Sequence, residues 1–161
     1  MPNDCLMLHV GLRKVSEVIG IDHIYVSVSD LATSENFYDK VLVNILGFRK
    51  NTFELNSDAH IQYFNKHFGY VIRPAKFQSS QTKGIPGLHH FCLRVESIPE
   101  VQEVSRKLRN AGIEATEAKH FPEYATDYWA TFFVDPDGLE LEVTNYRQER
   151  RERNENWETI G

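Results

Sequence analysis

Residues 87–95 of this chain read GLHHFCLRV, a strand-like run that sets two histidines side by side. Residues 20–28, GIDHIYVSV, match it in character at six of nine positions, at a shift of 67 residues. A second pair of landmarks, GYVI at 69–72 and GLEL at 138–141, recurs at a shift of 69. Landmarks that recur in the same order indicate two copies of one structural module.

The first copy begins with alternating polar and apolar residues at 21–29, which is the period of a half-buried strand. Residues 30–45 then carry apolar side chains at helical spacing, and Gly47 supplies a helix stop. Three further strand-like runs follow at 48–54, 60–65 and 70–75.

The second copy repeats this order of elements. Its helix opens at Ser97 with a Ser-x-x-Glu capping box completed by Glu100, and it stops at Gly112. Strands are predicted at 113–118, 128–134 and 139–146. Each copy is therefore a βαβββ module, and the predicted fold class is α+β with two tandem modules.

Polar and charged segments divide the chain around these modules. Residues 76–86 are polar with Gly and Pro, as in a linker. In the tail Glu149 and Arg153 stand at i,i+4, which predicts a solvated helix; the alternative is an arm that docks a partner subunit through Trp157. The predicted organisation is a leader at 1–20, modules at 21–75 and 87–146, the linker at 76–86 and the tail at 147–161.

Composition excludes several classes of protein. The chain has 161 residues, of which 41% are hydrophobic and 25% charged, as in an ordinary globular domain. A net charge of -5 without a basic run argues against nucleic-acid binding. No window approaches 18 consecutive apolar residues, so no membrane span is expected.

The first 14 residues lack the features of a secretory signal, and the cysteines are only Cys5 and Cys92, without a CxxC motif. Neither a disulfide scaffold nor a cysteine zinc site is expected from them. Both thiols are predicted to be free, in a cytoplasmic protein.

Strand parity decides which side chains share a face. It makes His90, not His89, the counterpart of His23. The predicted polar faces carry His23, Tyr25 and Ser27; His90, Cys92 and Arg94; and Glu140, Glu142 and Thr144. These residues suit a metal site, but parity alone leaves open that the faces are simply solvated.

The paired modules, the His-containing strands DHIYVSV and HFCLRV, and above all the ending ATFFVDPDGLELEV at 130–143 resemble the vicinal oxygen chelate superfamily. This superfamily contains glyoxalases, bleomycin-resistance proteins and extradiol dioxygenases, and the resemblance covers about residues 21–145. It implies a cupped mixed β-sheet with the helices outside and one divalent metal in the cup. By position, the implied ligands are His23, His90 and Glu142.

The position where related enzymes carry a fourth ligand differs here. Counting from Gly69, as Glu142 lies from Gly138, reaches Arg73, whose guanidinium has no lone pair for a metal. Three protein ligands are therefore expected, a set that suits Fe(II), otherwise Mn, Zn or Ni. Arg73 is interpreted either as a structural salt-bridge residue or, preferably, as a binder of an anionic substrate group.

The remaining site residues follow from strand parity and loop position, except Tyr128, which the resemblance implies. Tyr25 and Arg94, with Arg73, are predicted to contact substrate, and Tyr128, with Glu142, to take part in catalysis. His60, His67 and His120 are predicted to be surface residues, and His89 to pack or hydrogen-bond beside His90.

The resulting hypothesis is a metal-dependent enzyme acting on a small molecule that chelates the metal through adjacent oxygens. It is a dioxygenase, hence an oxidoreductase, or a glyoxalase-like lyase or isomerase. Alternatives are a fosfomycin-type thiol transferase and a metal-free binding protein of the bleomycin-resistance kind. The modules pair within one chain or are swapped between chains, and a homodimer is preferred.

Overall fold

The computed structural model describes residues 16–77 and 86–159. The predicted leader, the linker and Cys5 fall wholly or largely outside these ranges. The first module contains β1 (His23–Val28), α1 (Leu31–Tyr38), a π-helical continuation (Asp39–Ile45), β2 (Arg49–Leu55), β3 (Asp58–Phe64) and β4 (Gly69–Pro74). The second contains β5 (His90–Val95), α2 (Ile98–Asn110), β6 (Lys119–His120), β7 (Trp129–Val134) and β8 (Glu140–Asn145), followed by α3 (Gln148–Glu155) and a 3-10 turn (Trp157–Thr159).

The strands form two four-stranded mixed sheets with the same topology. Their orders are β1-β4-β3-β2 and β5-β8-β7-β6, with the first and last strand of each module parallel and the other pairs antiparallel. The predicted α+β class and the two tandem modules are confirmed. Within the described residues β1 and β5 each have one strand neighbour, so each is the edge of its sheet.

Two elements differ from the sequence prediction. The helix predicted over 30–45 is α-helical only to Tyr38 and then widens into π turns, where the Leu46 N–H donates to the Val41 carbonyl at 3.0 Å. The strand predicted over 113–118 is wrong. Only an isolated bridge at Ala115 forms there, and the short β6 lies just beyond it.

The apolar faces of both sheets share one hydrophobic core with the helices. Val28 and Ile72 of the first module and Leu93 and Leu141 of the second are all buried in it. Rings meet across the boundary, since Phe91 packs on Tyr70 with centroids 5.8 Å apart. The polar faces of the two sheets therefore point away from this common core.

The turn before β8 links the modules by hydrogen bonds. The Tyr38 hydroxyl donates to Asp135 Oδ2 at 2.8 Å, and the Ser29 N–H donates to Asp137 Oδ2 at 3.0 Å. Burial raises the pKa of Asp135 above its ordinary value, against the lowering effect of its bond from Tyr38. Gly138, with φ of 88°, completes the turn in the left-handed region that favours glycine.

Helix α3 agrees with the helix predicted for the tail. Its Gln148 N–H donates to Asp127 at 2.8 Å, and Arg151 pairs with Glu96 at 2.7 Å. None of the helices in residues 16–77 and 86–159 has the length and apolar character needed to span a membrane.

Candidate metal centre

His90 and Glu142 form the centre of the polar face of the second module. They lie on the parallel strands β5 and β8, and His90 Nε2 is 3.4 Å from Glu142 Oε2. Glu142 is only 3% exposed, and its other oxygen accepts a 2.5 Å hydrogen bond from the Tyr128 hydroxyl. A buried carboxylate with one oxygen held and the other facing an imidazole is an arrangement suited to a cation.

Tyr128 and Cys92 are protonated neighbours of this carboxylate. Burial, followed by the hydrogen bond to Glu142, raises the pKa of Tyr128 above its ordinary value. Burial, followed by the charge of Glu142, raises the pKa of the Cys92 thiol as well. Around neutral pH, therefore, Tyr128 acts as a hydrogen-bond donor, and Cys92 is a neutral part of the wall rather than a nucleophile.

The neighbouring histidines of the GLHHFCLRV run have different positions. The Nδ1 atoms of His89 and His90 lie 2.8 Å apart, a hydrogen bond in which one ring donates and the other accepts. His89 precedes β5 and is the partner that orients the His90 ring. This contact leaves His90 Nε2 facing Glu142.

His23 lies on the polar face of the first module, at the start of β1. Its Nδ1 is 2.7 Å from Asp22 Oδ2, and its side chain is 52% exposed. It borders an open cavity of about 750 Å³ that Gln62 and His67 also line. The carboxylate of Asp22 orients the ring and leaves Nε2 available for a ligand.

One chain does not bring His23 to His90 and Glu142. In the part of the chain that the structure describes, the group of three candidate metal donors is His89, His90 and Glu140, with ligand atoms within 4.8 Å of one another. His23 is separate because the apolar faces of the sheets meet and the polar faces point outward.

Strand register corrects the alignment of Arg73 with Glu142. The residue two places after His90, Cys92, lies opposite Glu142, whereas the residue two places after His23 lies opposite Val71. The sequence count from the glycines therefore overshoots by two residues. Val71, like Arg73, has no side-chain atom that could bind a metal.

The predicted substrate-binding residues have partners of their own. Arg73 pairs with Asp58, the structural alternative considered above, although its buried Nε has no hydrogen-bond partner within residues 16–77 and 86–159. The Tyr25 ring meets the edge of His23 at 5.4 Å, and Arg94 stacks on Tyr146 at 4.2 Å. A role in substrate binding stays a prediction for all three.

One histidine departs from its predicted surface position. His60 is 1% exposed and stacks on Phe53, and its Nε2 has no hydrogen-bond partner among the described residues. Parity along the strand, applied at position 60, would have placed it on the polar face with Gln62. His67 and His120 are exposed, as predicted.

A model of the Glyoxalase/Bleomycin resistance protein/Dioxygenase superfamily matches residues 20–143. The chain belongs to this superfamily. It is 31% identical over 130 residues to Virulence protein STM3117 of Salmonella typhimurium, covering 78% of this chain and 83% of that protein.

Solved structures of the superfamily share the fold. A glyoxylase/bleomycin resistance protein/dioxygenase domain from Frankia has a TM-score of 0.67 at 21% identity, with 81% of this chain and all (100%) of that one covered. The fosfomycin resistance protein FosX from Listeria monocytogenes has a TM-score of 0.62 at 16% identity, covering 84% and 99%. A glyoxalase family protein from Enterococcus faecalis has a TM-score of 0.60 at 28% identity, covering 78% and 97%.

Members of this superfamily are often metal-dependent, and the donor set here fits a divalent ion. Imidazole nitrogen and carboxylate oxygen bind such ions at about 2.0 to 2.2 Å, so neighbouring ligand atoms lie roughly 3 Å apart. The 3.4 Å between His90 Nε2 and Glu142 Oε2 is close to that separation. Each ligand candidate has a hydrogen-bond partner outside the proposed site, as metal ligands commonly do. His90 contacts His89, His23 contacts Asp22, and Glu142 contacts Tyr128.

Proposed function

We propose that this chain is a divalent-metal-dependent enzyme that acts on a small molecule through adjacent oxygens of that molecule. The observation that carries the proposal is the pair His90 and Glu142, in which a buried carboxylate held by Tyr128 faces an oriented imidazole. His23 is the third ligand. Fe(II) is the preferred ion, otherwise Mn, Zn or Ni.

The site is proposed to be completed in a homodimer. Strands β1 and β5 are both sheet edges, and such an edge has backbone groups free to pair with another strand. Association of β1 from one copy with β5 from the other would bring His23 of one chain to His90 and Glu142 of the second. Two equivalent sites would result from the two-fold symmetry.

The bound ion supplies a Lewis acid and a template for the two oxygens of the substrate. Glu142 contributes negative charge, and Tyr128 fixes the orientation of its carboxylate. Arg73, Tyr25 and Arg94 are proposed to orient the substrate from the polar faces. The free thiol of Cys92 accords with a reducing, cytoplasmic location.

Metal analysis of mixed variants tests both the ligands and the dimer. His23→Ala and Glu142→Gln are each expected to lose the ion. When the two variants are refolded together in equal amounts, about a quarter of the wild-type metal should return, because half of the dimers are hybrids with one intact site. No recovery, with both variants folded and dimeric, would contradict sites shared between chains.

Reaction assays then distinguish between the candidate enzyme classes. Oxygen uptake with catechols identifies a dioxygenase, and isomerisation of a thiohemiacetal identifies a glyoxalase-like enzyme. Thiol transfer to an epoxide identifies the fosfomycin-type alternative. A protein that neither contains nor takes up metal would leave the binding-protein alternative.

A further inference from the structure

The C-terminal helix brings arginines to the polar face of the second module. Arg150 and Arg153 of α3 border a cavity of about 610 Å³ together with Arg94 of β5. Arg94 has the same strand parity as His90, so it belongs to the face that carries the proposed metal ligands. Two distant parts of the chain thus contribute guanidinium groups to one cavity.

The Tyr146 ring fixes this arrangement. Arg94 lies over the ring at 4.2 Å and Arg151 at the same distance, so the two guanidinium groups both stack on one aromatic side chain. Arg151 is further held by Glu96 at 2.7 Å. Helix α3 is therefore docked on the module rather than free in solvent, and its other arginines have defined positions.

In the part of the chain that the structure describes, the three arginines at the cavity have no acidic partner within ion-pair distance. Within the described ranges no ion pair forms at Arg94, Arg150 or Arg153. Burial, followed by the charges of Arg153, Arg94 and Arg147, lowers the pKa of Arg150. Like charges are therefore close enough to repel one another, which an anion between them would relieve.

Acidic residues border the same cavity, but they lie beyond ion-pair distance of these three groups. Glu17, Glu155 and Glu158 contribute to its lining, but none of them forms an ion pair with the three arginines. The three guanidinium forks match oxygen pairs of phosphate, phosphonate or carboxylate groups.

The arginine cluster includes a residue of the strand that carries the proposed metal ligand His90. Arg94 lies four residues after His90 on β5, which corresponds to about 13 Å along a strand. We propose that Arg94, Arg150 and Arg153 bind a dianionic group at the far end of the substrate whose adjacent oxygens meet the ion. The link to the substrate rests on the proposed function, whereas the anion site itself can be measured alone.

Calorimetric titration of the metal-free, full-length protein tests the anion site. The probes are inorganic phosphate, methylphosphonate and succinate, each at low ionic strength, and their ranking distinguishes phosphorus oxyanions from dicarboxylates. The double substitution Arg150→Gln/Arg153→Gln should weaken the affinity for the preferred probe at least tenfold. The matched control is Arg106→Gln/Arg109→Gln on α2, which removes the same charge elsewhere and should leave the affinity unchanged.

Further measurements separate this proposal from the metal site. Arg94→Gln should also weaken the affinity for the probe. His90→Ala should lose metal binding and keep anion binding. Absence of binding by the wild type, or equal loss in the α2 control, would overturn the anion site. If the anion binds but His90→Ala retains its metal, the anion site stands and the proposed metal function fails.

Discussion

The last strands of the two modules have the same place in the fold but different chemistry. Strand β4 runs beside β1 as β8 runs beside β5, in equivalent registers. The polar-face residues are Gly69, Val71 and Arg73 on β4, and Glu140, Glu142 and Thr144 on β8. On the paired first and last strands, the first module therefore offers His23 as a ligand candidate, whereas the second offers His90 together with carboxylates.

Gly69 shows how the first module accommodates its histidine. A Cβ at Gly69 would lie 3.5 Å from the Cβ of His23 and 3.2 Å from the side-chain nitrogen of Gln62. The corresponding place opposite His90 is filled by Glu140. The first module thus has no side chain at this position, where a Cβ would crowd Gln62, whereas the second places a carboxylate there.

The largest expected effect concerns the histidines of the second module. His90→Ala should reduce metal affinity by more than about 100-fold, since it removes a ligand, whereas His89→Ala should cost roughly 10- to 100-fold because it removes only the orienting partner. Isothermal titration with Mn(II) measures both.

Glu140→Gln is the matched test of the alternative donor group on the same face. It should keep metal affinity within about threefold of wild type, because Glu140 is not a proposed ligand. Loss of metal in His89→Ala and Glu140→Gln, with retention in His23→Ala, would instead assign the site to His89, His90 and Glu140.

A substitution on β4 would make the last strands of the two modules more alike. Val71→Glu places a carboxylate at the buried position equivalent to Glu142. The metal-free protein should lose about 3 kcal/mol of unfolding free energy through the buried charge, and added metal should restore part of it if the ion accepts a fourth ligand. Urea denaturation with and without metal measures this, and Val71→Gln is the neutral control. Equal effects of metal on both variants would contradict the equivalence of the two positions.

Tyr128→Phe tests the hydroxyl group that supports Glu142 in the second module. Loss of a hydrogen bond to a buried carboxylate should lower the unfolding free energy of the metal-free protein by about 2 kcal/mol and metal affinity about tenfold. Tyr124→Phe is the control, since Tyr124 is 62% exposed. If Tyr124→Phe and Tyr128→Phe behave alike in urea denaturation and metal titration, Tyr128 does not support the carboxylate.

The smallest effect concerns the link between the modules and depends on pH. The folded pKa of Asp135 is raised, so its protonated form favours the folded state, and this contribution is complete below the ordinary pKa of about 4. It is lost as the pH rises through the folded pKa. Relative to Asp135→Asn, the wild type should therefore become less stable in urea denaturation as the pH rises above about 4. A constant difference would show that Asp135 does not titrate in this range.

The repeat, the boundaries of α2 and the strand faces of His23 and His90 followed from local patterns. Alternation along residues 21–29 and the Ser97 capping box depend on neighbours in sequence, and the capping box forms with Ser97 N–H donating to Glu100 at 3.0 Å. Strand register and the packing of the sheets depend on contacts between distant residues. That is why the count to Arg73 was two residues off and the burial of His60 was missed.

The separation of His23 from its expected partners could not be read from the sequence either. Periodicity identifies which face of a strand is apolar, but not which other element covers it. Contacts such as that of Phe91 with Tyr70 determine that the apolar faces cover one another. The position of α3 on the polar face likewise follows from the Tyr146 contacts, which the charged pattern of the tail did not reveal.

The turn of Asp135, Asp137 and Gly138 fastens the second module to the first and also begins the strand that carries Glu142. A genetic screen scored by activity would therefore recover substitutions in this turn beside those at the metal ligands. The two groups of variants would differ in their response to expression level, because raising expression compensates for a folding defect but not for a missing metal ligand. Suppressor substitutions in the shared core should rescue the first group and leave the second unchanged.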